Sequence, residues 1–183
     1  MKRFTVAGAV ALACLTLSST AAATQAGQWY GRLEIGHSDL KIEVDDFSAD
    51  DTDTAYGLRI GYYFTPNVAM EGFYSILGDR SVEGVSHDMD AAGLGAVGKK
   101  NFGADNTGFF IAARAGVQSV NTKLSADGYG VRERSTKPYV GVGAGYDFDH
   151  NNGLSLNYDY NKGDLFNADV TAQTLTLGYE YRF

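Results

Sequence analysis

Cysteine, proline and long apolar runs are almost missing from this sequence. The only cysteine of the 183 residues is Cys14, and prolines number two. One cysteine excludes an internal disulfide, and its place near the amino terminus leaves the rest of the chain without a thiolate for metal or nucleophilic chemistry. The apolar run Phe4–Leu17 spans 14 residues, short of the roughly 20 that a helical membrane span needs. Cationic side chains are outnumbered, 15 Lys and Arg against 22 Asp and Glu, a net charge of −7. That balance argues against a nucleic-acid partner, which needs clustered basic groups to displace counterions. A convincing 3.6-residue apolar period with a helix start signal is also missing.

The amino-terminal segment has the three-part layout of an export leader: basic Lys2 and Arg3, the apolar run, then small Ala21-Ala22-Ala23. It predicts a signal peptide over 1–23 with cleavage after Ala23, or alternatively after Ala26, and a single domain over 24–183. A lipidated end at Cys14 is disfavoured, because Ala11-Leu12-Ala13 is a poor lipobox and the cut would split the apolar run. Removing Lys2 and Arg3 lowers the basic count from 15 to 13 against 22 acids, a net −9.

What remains is rich in glycine (23) and tyrosine (12) and alternates with period two. Tyr56, Leu58, Ile60, Tyr62 and Phe64 oppose Gly57, Arg59, Gly61 and Tyr63. Leu154, Leu156, Tyr158 and Tyr160 oppose Ser155, Asn157, Asp159 and Asn161. Val140 to Phe148 and Leu175 to Phe183 behave the same way, with Asp147 on the polar face of the former. Eight strands are predicted near 28–38, 54–64, 68–77, 89–101, 109–120, 137–148, 153–161 and 170–183. The inward face of the fourth stays open, since Ala91 to Gly98 is small on both sides. Short connections at 65–67, 102–108 and 149–152 alternate with long polar ones at 39–53, 78–88, 121–136 and 162–169, the asymmetry of an outer-membrane barrel.

Alternation does not say which face is inside. The polar face holds Arg32, Glu34, Arg59, Glu71, Arg114, Glu180 and Arg182, a near-balanced set that a narrow lumen can pair and lipid cannot accept. Trp29, Tyr62, Phe64, Phe109, Tyr146, Phe148, Tyr181 and Phe183 fall at the short-turn end, as in an interfacial girdle, and Tyr56, Tyr74, Tyr158 and Tyr160 lie toward the other rim. The expected fold is therefore all-β, an eight-stranded antiparallel up-and-down transmembrane β-barrel whose interior is filled by side chains, including Tyr63, Phe73 and Tyr139.

Thr176-Leu177-Gly178-Tyr179-Glu180-Tyr181-Arg182-Phe183 resembles the carboxy-terminal signal read by the barrel-assembly machinery, with Gly178, Tyr181 and Phe183 at the defining positions. The segment from Gly57 to Glu71, with its Gly-x-Arg-x-Gly-Tyr core and Thr65-Pro66-Asn67 turn, resembles the strand–turn–strand signature of the OmpA-transmembrane-domain and OmpX-like superfamily, as does Lys137 to Tyr146 for the sixth strand. The resemblance implies an outer-membrane barrel of the opacity-like "porin family" type in a Gram-negative bacterium, and no named ligand. No peptidoglycan-binding segment follows Phe183, so the barrel alone is implied.

Site chemistry is sparse. Asp45, Asp46, Asp50, Asp51 and Asp53 lack the Gly and Glu of a calcium loop and read as a solvated acidic loop, free to share divalent cations with lipopolysaccharide. Arg132, Arg134 and Lys137 are candidates for its phosphates. The pairs His37-Ser38 and Ser86-His87 place neighbours on opposite strand faces, and His150 lies at the wrong end, so no serine–histidine pair is expected. The expected function is an integral outer-membrane protein of structural, envelope-integrity or surface-adhesion role, acting through its outer loops, without catalysis, cofactor or metal, and a monomer. Its partners are outer-membrane lipid and lipopolysaccharide, the assembly machinery, and a host or surface ligand at the loops. A small-solute channel and a lipid-A-modifying enzyme are the alternatives.

Overall fold

Glycine-rich, period-two segments joined by tight turns leave the backbone one economical arrangement, strands paired with their sequence neighbours. The computed structural model describes residues 24–44, 47–82, 85–126, 129–165 and 168–183, with side chains given for 24–39, 53–77, 89–103, 105–121, 134–161 and 171–183. The leader expected over 1–23 lies outside the described residues. Eight strands follow in order: β1 Gln28–Val44, β2 Phe47–Thr65, β3 Val68–Val82, β4 Val85–Asn101, β5 Gly108–Ala126, β6 Tyr129–Asp147, β7 Asn152–Leu165 and β8 Ala168–Arg182. Each pairs antiparallel with the next, and β1 pairs with β8, closing the barrel.

The short turns are held locally by side chains. Thr65 Oγ1 accepts from the backbone N–H of Val68 at 3.0 Å. Asp149 Oδ1 accepts from the N–H groups of Asn151 and Asn152, both at 2.7 Å. Asp105 and Asn106 in the β4–β5 turn are left-handed, φ 54° and 55°, which acidic and amide side chains tolerate.

The structure settles the face of β4. Met89, Ala91, Val97, Lys99 and Asn101 are buried in the lumen, whereas Leu94 is 63 % exposed outside. It also corrects the connections expected at 39–53, 78–88, 121–136 and 162–169. Nearly all of those residues continue the strands, and 45–46, 83–84, 127–128 and 166–167 lie outside the described residues. Strand pairing persists outside a membrane where polar and apolar residues still alternate. Along β1, Leu40, Ile42 and Val44 interleave with Asp39, Lys41 and Glu43, a pattern that overall polarity conceals.

Closure is complete only toward the short-turn end. The β2–β3 register reaches Tyr56↔Ile76, and the β6–β7 register reaches Tyr139↔Asn161. Beyond these positions neither seam carries a register pair among the described residues. The other seams stay paired to or near their tips, at Val44↔Phe47, Val82↔Val85, Ala126↔Tyr129 and Leu165↔Ala168. Toward the outer end the paired strands therefore fall into two sets of four, β7–β8–β1–β2 and β3–β4–β5–β6.

The lumen is so narrow that some inward positions accept no side chain. A Cβ at Gly141 would meet the Asp159 carboxylate and would lie 2.9 Å from Arg114 Nε, whereas one on outward Gly98 would meet nothing within 4 Å. Gly141→Val is expected to destabilise the folded barrel by roughly 1–3 kcal/mol through overpacking, and Gly98→Val to leave it nearly unchanged. Urea unfolding in lipid vesicles measures both.

Candidate functional site: the charged lumen

Each strand sends at least one charged side chain inward. Among the described residues the buried charged set is Arg32 and Glu34 (β1), Arg59 (β2), Glu71 (β3), Lys99 (β4), Arg114 (β5), Asp147 (β6), Asp159 (β7), and Glu180 and Arg182 (β8). Five cations face five anions. Moving any one of them from water into a low-dielectric interior is costly unless its partner is held in good geometry, and the pairing supplies that geometry.

Arg59 is the hub. Its Nε donates to Glu34 at 2.8 Å, Nη1 to Glu71 at 2.8 Å and Nη2 to Asp159 at 3.0 Å. Arg114 grips Asp159 through Nε and Nη2, both at 2.6 Å, and reaches Glu34 at 3.2 Å. Such two-pronged contacts suit the planar guanidinium. The Arg59 guanidinium also lies 4.7 Å from the centre of the Phe73 ring. Arg32 connects this group to a second one nearer the short turns, with Nη2 2.6 Å from Glu180 and Nη1 3.7 Å from Glu34. There Lys99 Nζ lies 2.8 Å from Asp147 and 3.5 Å from Glu180, and Arg182 Nη1 lies 3.1 Å from Asp147. Tyr30 Oη donates to Glu71 at 2.9 Å and Tyr63 Oη to Glu180 at 3.2 Å. Both rings are fully buried in the lumen beside the charges.

The seven charged residues singled out from alternation all lie in this network. Asp147 and Asp159 stood on polar faces without an assigned role. Lys99 was hidden by the undecided face of β4. Outside, the apolar set is half exposed, with Leu33, Ile60, Leu156 and Leu177 between 44 and 55 %. At the short-turn end the aromatics contact one another: Trp29 with Tyr62, Tyr62 with Phe64, Tyr146 with Phe148 and Tyr181 with Phe183, at centroid distances of 5.2 to 6.3 Å. Phe109 stacks on Phe102 at 6.0 Å. Gly178 is inward beside Arg32, Ser155 and Asn157. Asp149, in the β6–β7 turn, is held below the usual carboxylate range: burial opposes this, but donors from Asn151 and Asn152 and the charge of Arg182 outweigh it.

The remaining candidates do not converge. His37 is exposed and Ser38 fully buried, so they stand on opposite faces; His150 is in the short turn after β6, and the side chains of Ser86 and His87 lie outside the described residues. Asp50, Asp51 and Asp53 are on β2, with Asp45 and Asp46 outside the described residues. Arg134 Nε donates to Ser119 Oγ at 2.7 Å on the exposed face; Lys137 is half-buried, and the side chain of Arg132 is outside the described residues.

Residues 7–183 match the family model described as the outer membrane protein beta-barrel domain. Among solved structures, the chain is similar to Neisserial surface protein A (TM-score 0.69, 16 % identity, 86 % of this chain and 99 % of that one). It is also similar to Ail of Yersinia pestis (0.56, 17 %, 86 % and 100 %) and to the amino-terminal barrel of Pseudomonas aeruginosa OprF (0.56, 22 %, 83 % and 97 %). At these identities the likeness is one of fold. No curated relative matches the chain.

Arg59→Met would remove the Arg59–Glu71 ion pair and weaken the hold on Glu34 and Asp159. A loss of about 3–5 kcal/mol is expected, as for other broken buried pairs. Adding Glu71→Gln should recover part of it, a non-additivity read from urea unfolding of the two single variants and the double.

Proposed function

Because the chain belongs to the outer membrane protein β-barrel domain family, we propose that it is an integral outer-membrane protein of a Gram-negative bacterium with a closed lumen. Its work is envelope integrity or surface adhesion through the outer hairpins, without catalysis. The carrying observation is the pairing of an apolar exterior with ten buried, mutually neutralised charges. Lipid stabilises the first, and the second leaves no continuous aqueous path between Tyr30, Tyr63 and the arginines. The exterior and its aromatic ends fit outer-membrane lipid and lipopolysaccharide, and exposed Arg134 on β6 would meet lipid phosphates, whereas Lys137 shares the inward face of Tyr139. For a surface role, a related barrel offers a parallel: Ail, named as an attachment invasion locus protein, is described in complex with the heparin analogue sucrose octasulfate.

Residues 1–23 serve as the export leader in this reading, and Gly178, Tyr181 and Phe183 as the signal for barrel assembly. Cleavage after Ala23 is favoured over Ala26 by Thr24, whose Oγ1 accepts from Arg182 Nη1 at 3.0 Å in a buried position. A later cut would remove that partner. The protein acts as a monomer.

One preparation tests the reading. Outer membranes of expressing cells should contain the protein as a heat-modifiable band whose intact mass begins at Thr24, and reconstitution into planar bilayers should give no sustained conductance. Recovery as a detergent-free soluble protein would overturn membrane insertion. Regular conductance steps that shrink on Arg59→Gln would replace the structural reading with the channel, and altered lipid A in the mass spectra of those cells would replace it with an enzyme.

A further inference from the structure

One side of the lipid-facing wall is built differently from the other. Outward side chains such as Ile60, Leu156 and Leu177 are large. Across β4 and β5 they shrink: Gly98 pairs with Ala113, and Ala96 with Ala115, all four exposed. A Cβ added at Gly98 would meet nothing within 4 Å. The outer wall here carries a groove of about 630 Å³, lined also by Ile111 and Val142. Lys100 and Asn67 form its polar end, and the Asn67 amide nitrogen donates to the Lys99 carbonyl at 2.8 Å.

Depth in the membrane restricts what fits the groove. Lys100 stands one residue before the end of β4, next to the stacked rim aromatics Phe102 and Phe109. Ten residues earlier on the same face, Asp90 pairs with Asn121 and Asn121 with Arg134, a polar row toward the other interface. That length of tilted strand rises roughly 25 Å along the membrane normal, the height of an outer-membrane apolar band. Leu94 and Val117, 63 and 58 % exposed, stand as a ridge halfway along it. From Lys100 to that ridge the wall rises about 15 Å, the hydrocarbon depth of one leaflet. Short turns face the periplasm in such barrels, so the leaflet is the periplasmic one.

The head-group end carries a charge without a counterpart. The Lys100 ammonium is exposed and has no ion pair or side-chain hydrogen bond among the described residues. At the short-turn end of the strands it is also the one charged outward side chain among the described residues. A phosphodiester bearing a net negative charge complements it, whereas a zwitterionic head group brings an ammonium of its own. A second barrel docked here about a two-fold axis along the membrane normal would set two Lys100 side chains at one depth with no anion between them.

We propose that this groove binds an anionic phospholipid of the periplasmic leaflet, its phosphate on Lys100 and one acyl chain along Gly98, Ala113, Ala96 and Ala115. A chain seated there gains dispersion contacts with a wall whose small side chains leave space beside them. The proposal rests on the membrane placement argued above and names the lipid class for one part of that exterior.

The test uses the full exported protein, folded in non-ionic detergent and offered equal amounts of dioleoylphosphatidylglycerol and dioleoylphosphatidylethanolamine under native mass spectrometry. One phosphatidylglycerol per barrel, saturable and preferred over the zwitterionic lipid, is expected. Lys100→Gln should weaken it about fivefold, the scale of one basic residue at an anionic lipid surface, and Lys100→Arg should retain it. Gly98→Val, which raises the groove floor, should weaken it at least as much, and Leu177→Phe on the opposite wall should leave it unchanged. Heat modifiability of each variant reports folding, so a misfolded Gly98→Val leaves Lys100→Gln to decide. The proposal is overturned by the absence of a saturable adduct, by equal uptake of the two lipids, by equal uptake in all variants (an annular shell only), or by a dimer that excludes lipid from this wall. A protein that enters membranes but shows no preference for phosphatidylglycerol defeats this proposal alone; one that never enters membranes defeats the function it builds on.

Discussion

Everything in this barrel depends on keeping ten charged side chains inside a tube too narrow to hydrate them. Each isolated charge would be prohibitive in such surroundings. The cost is tolerable because five cations and five anions interlock, Arg59 alone contacting Glu34, Glu71 and Asp159. Since every strand contributes to the set, strand register and ion pairing specify each other: slipping one strand by a residue would send its charge into lipid and an apolar side chain into the network. Inward glycines such as Gly141 follow from the same crowding, because the space a Cβ would take holds Asp159 and Arg114.

Much of this was legible in sequence. Period two placed the inner portions of the strands and seven of the charges, since polar–apolar alternation is what a two-sided wall demands. The fourth strand was not legible in its facing, because Ala91 to Gly98 offers small residues both ways and only pairing with β3 and β5 buries Lys99. Contacts between distant residues were beyond any local pattern: Arg59 and Asp159 are 100 positions apart, brought together by closure. The outer hairpins were misjudged for a different reason. Their polarity suggested loops, although Leu40, Ile42 and Val44 preserve the alternation and the backbone continues to pair. Where no lipid surrounds a strand, average polarity stops distinguishing it from a loop, and alternation has to be read alone.

The barrel thus has two structurally distinct halves. Toward the short turns it is closed and charged, with Tyr30 and Tyr63 buried inside and an aromatic rim outside. Toward the hairpins two seams carry no register pairs among the described residues, and an apolar cluster that includes Leu77, Met89 and Val120 joins buried polar Ser38 and Thr174 in the lumen. A neutral, paired charge network lies beneath that outer end. The unpaired amide of Gln118 marks the boundary between the halves.

The central claim is that the charged face is inside and the apolar face meets lipid. Site-directed spin labelling along β8, one cysteine at a time from 173 to 181 in reconstituted bilayers, tests it directly. Oxygen accessibility should alternate, high at 175, 177 and 179 and low at 174, 176 and 178, with a water-soluble nickel reagent excluded from the high positions. Equal accessibility at all positions, or a pattern with its maxima on the even residues, would contradict the account.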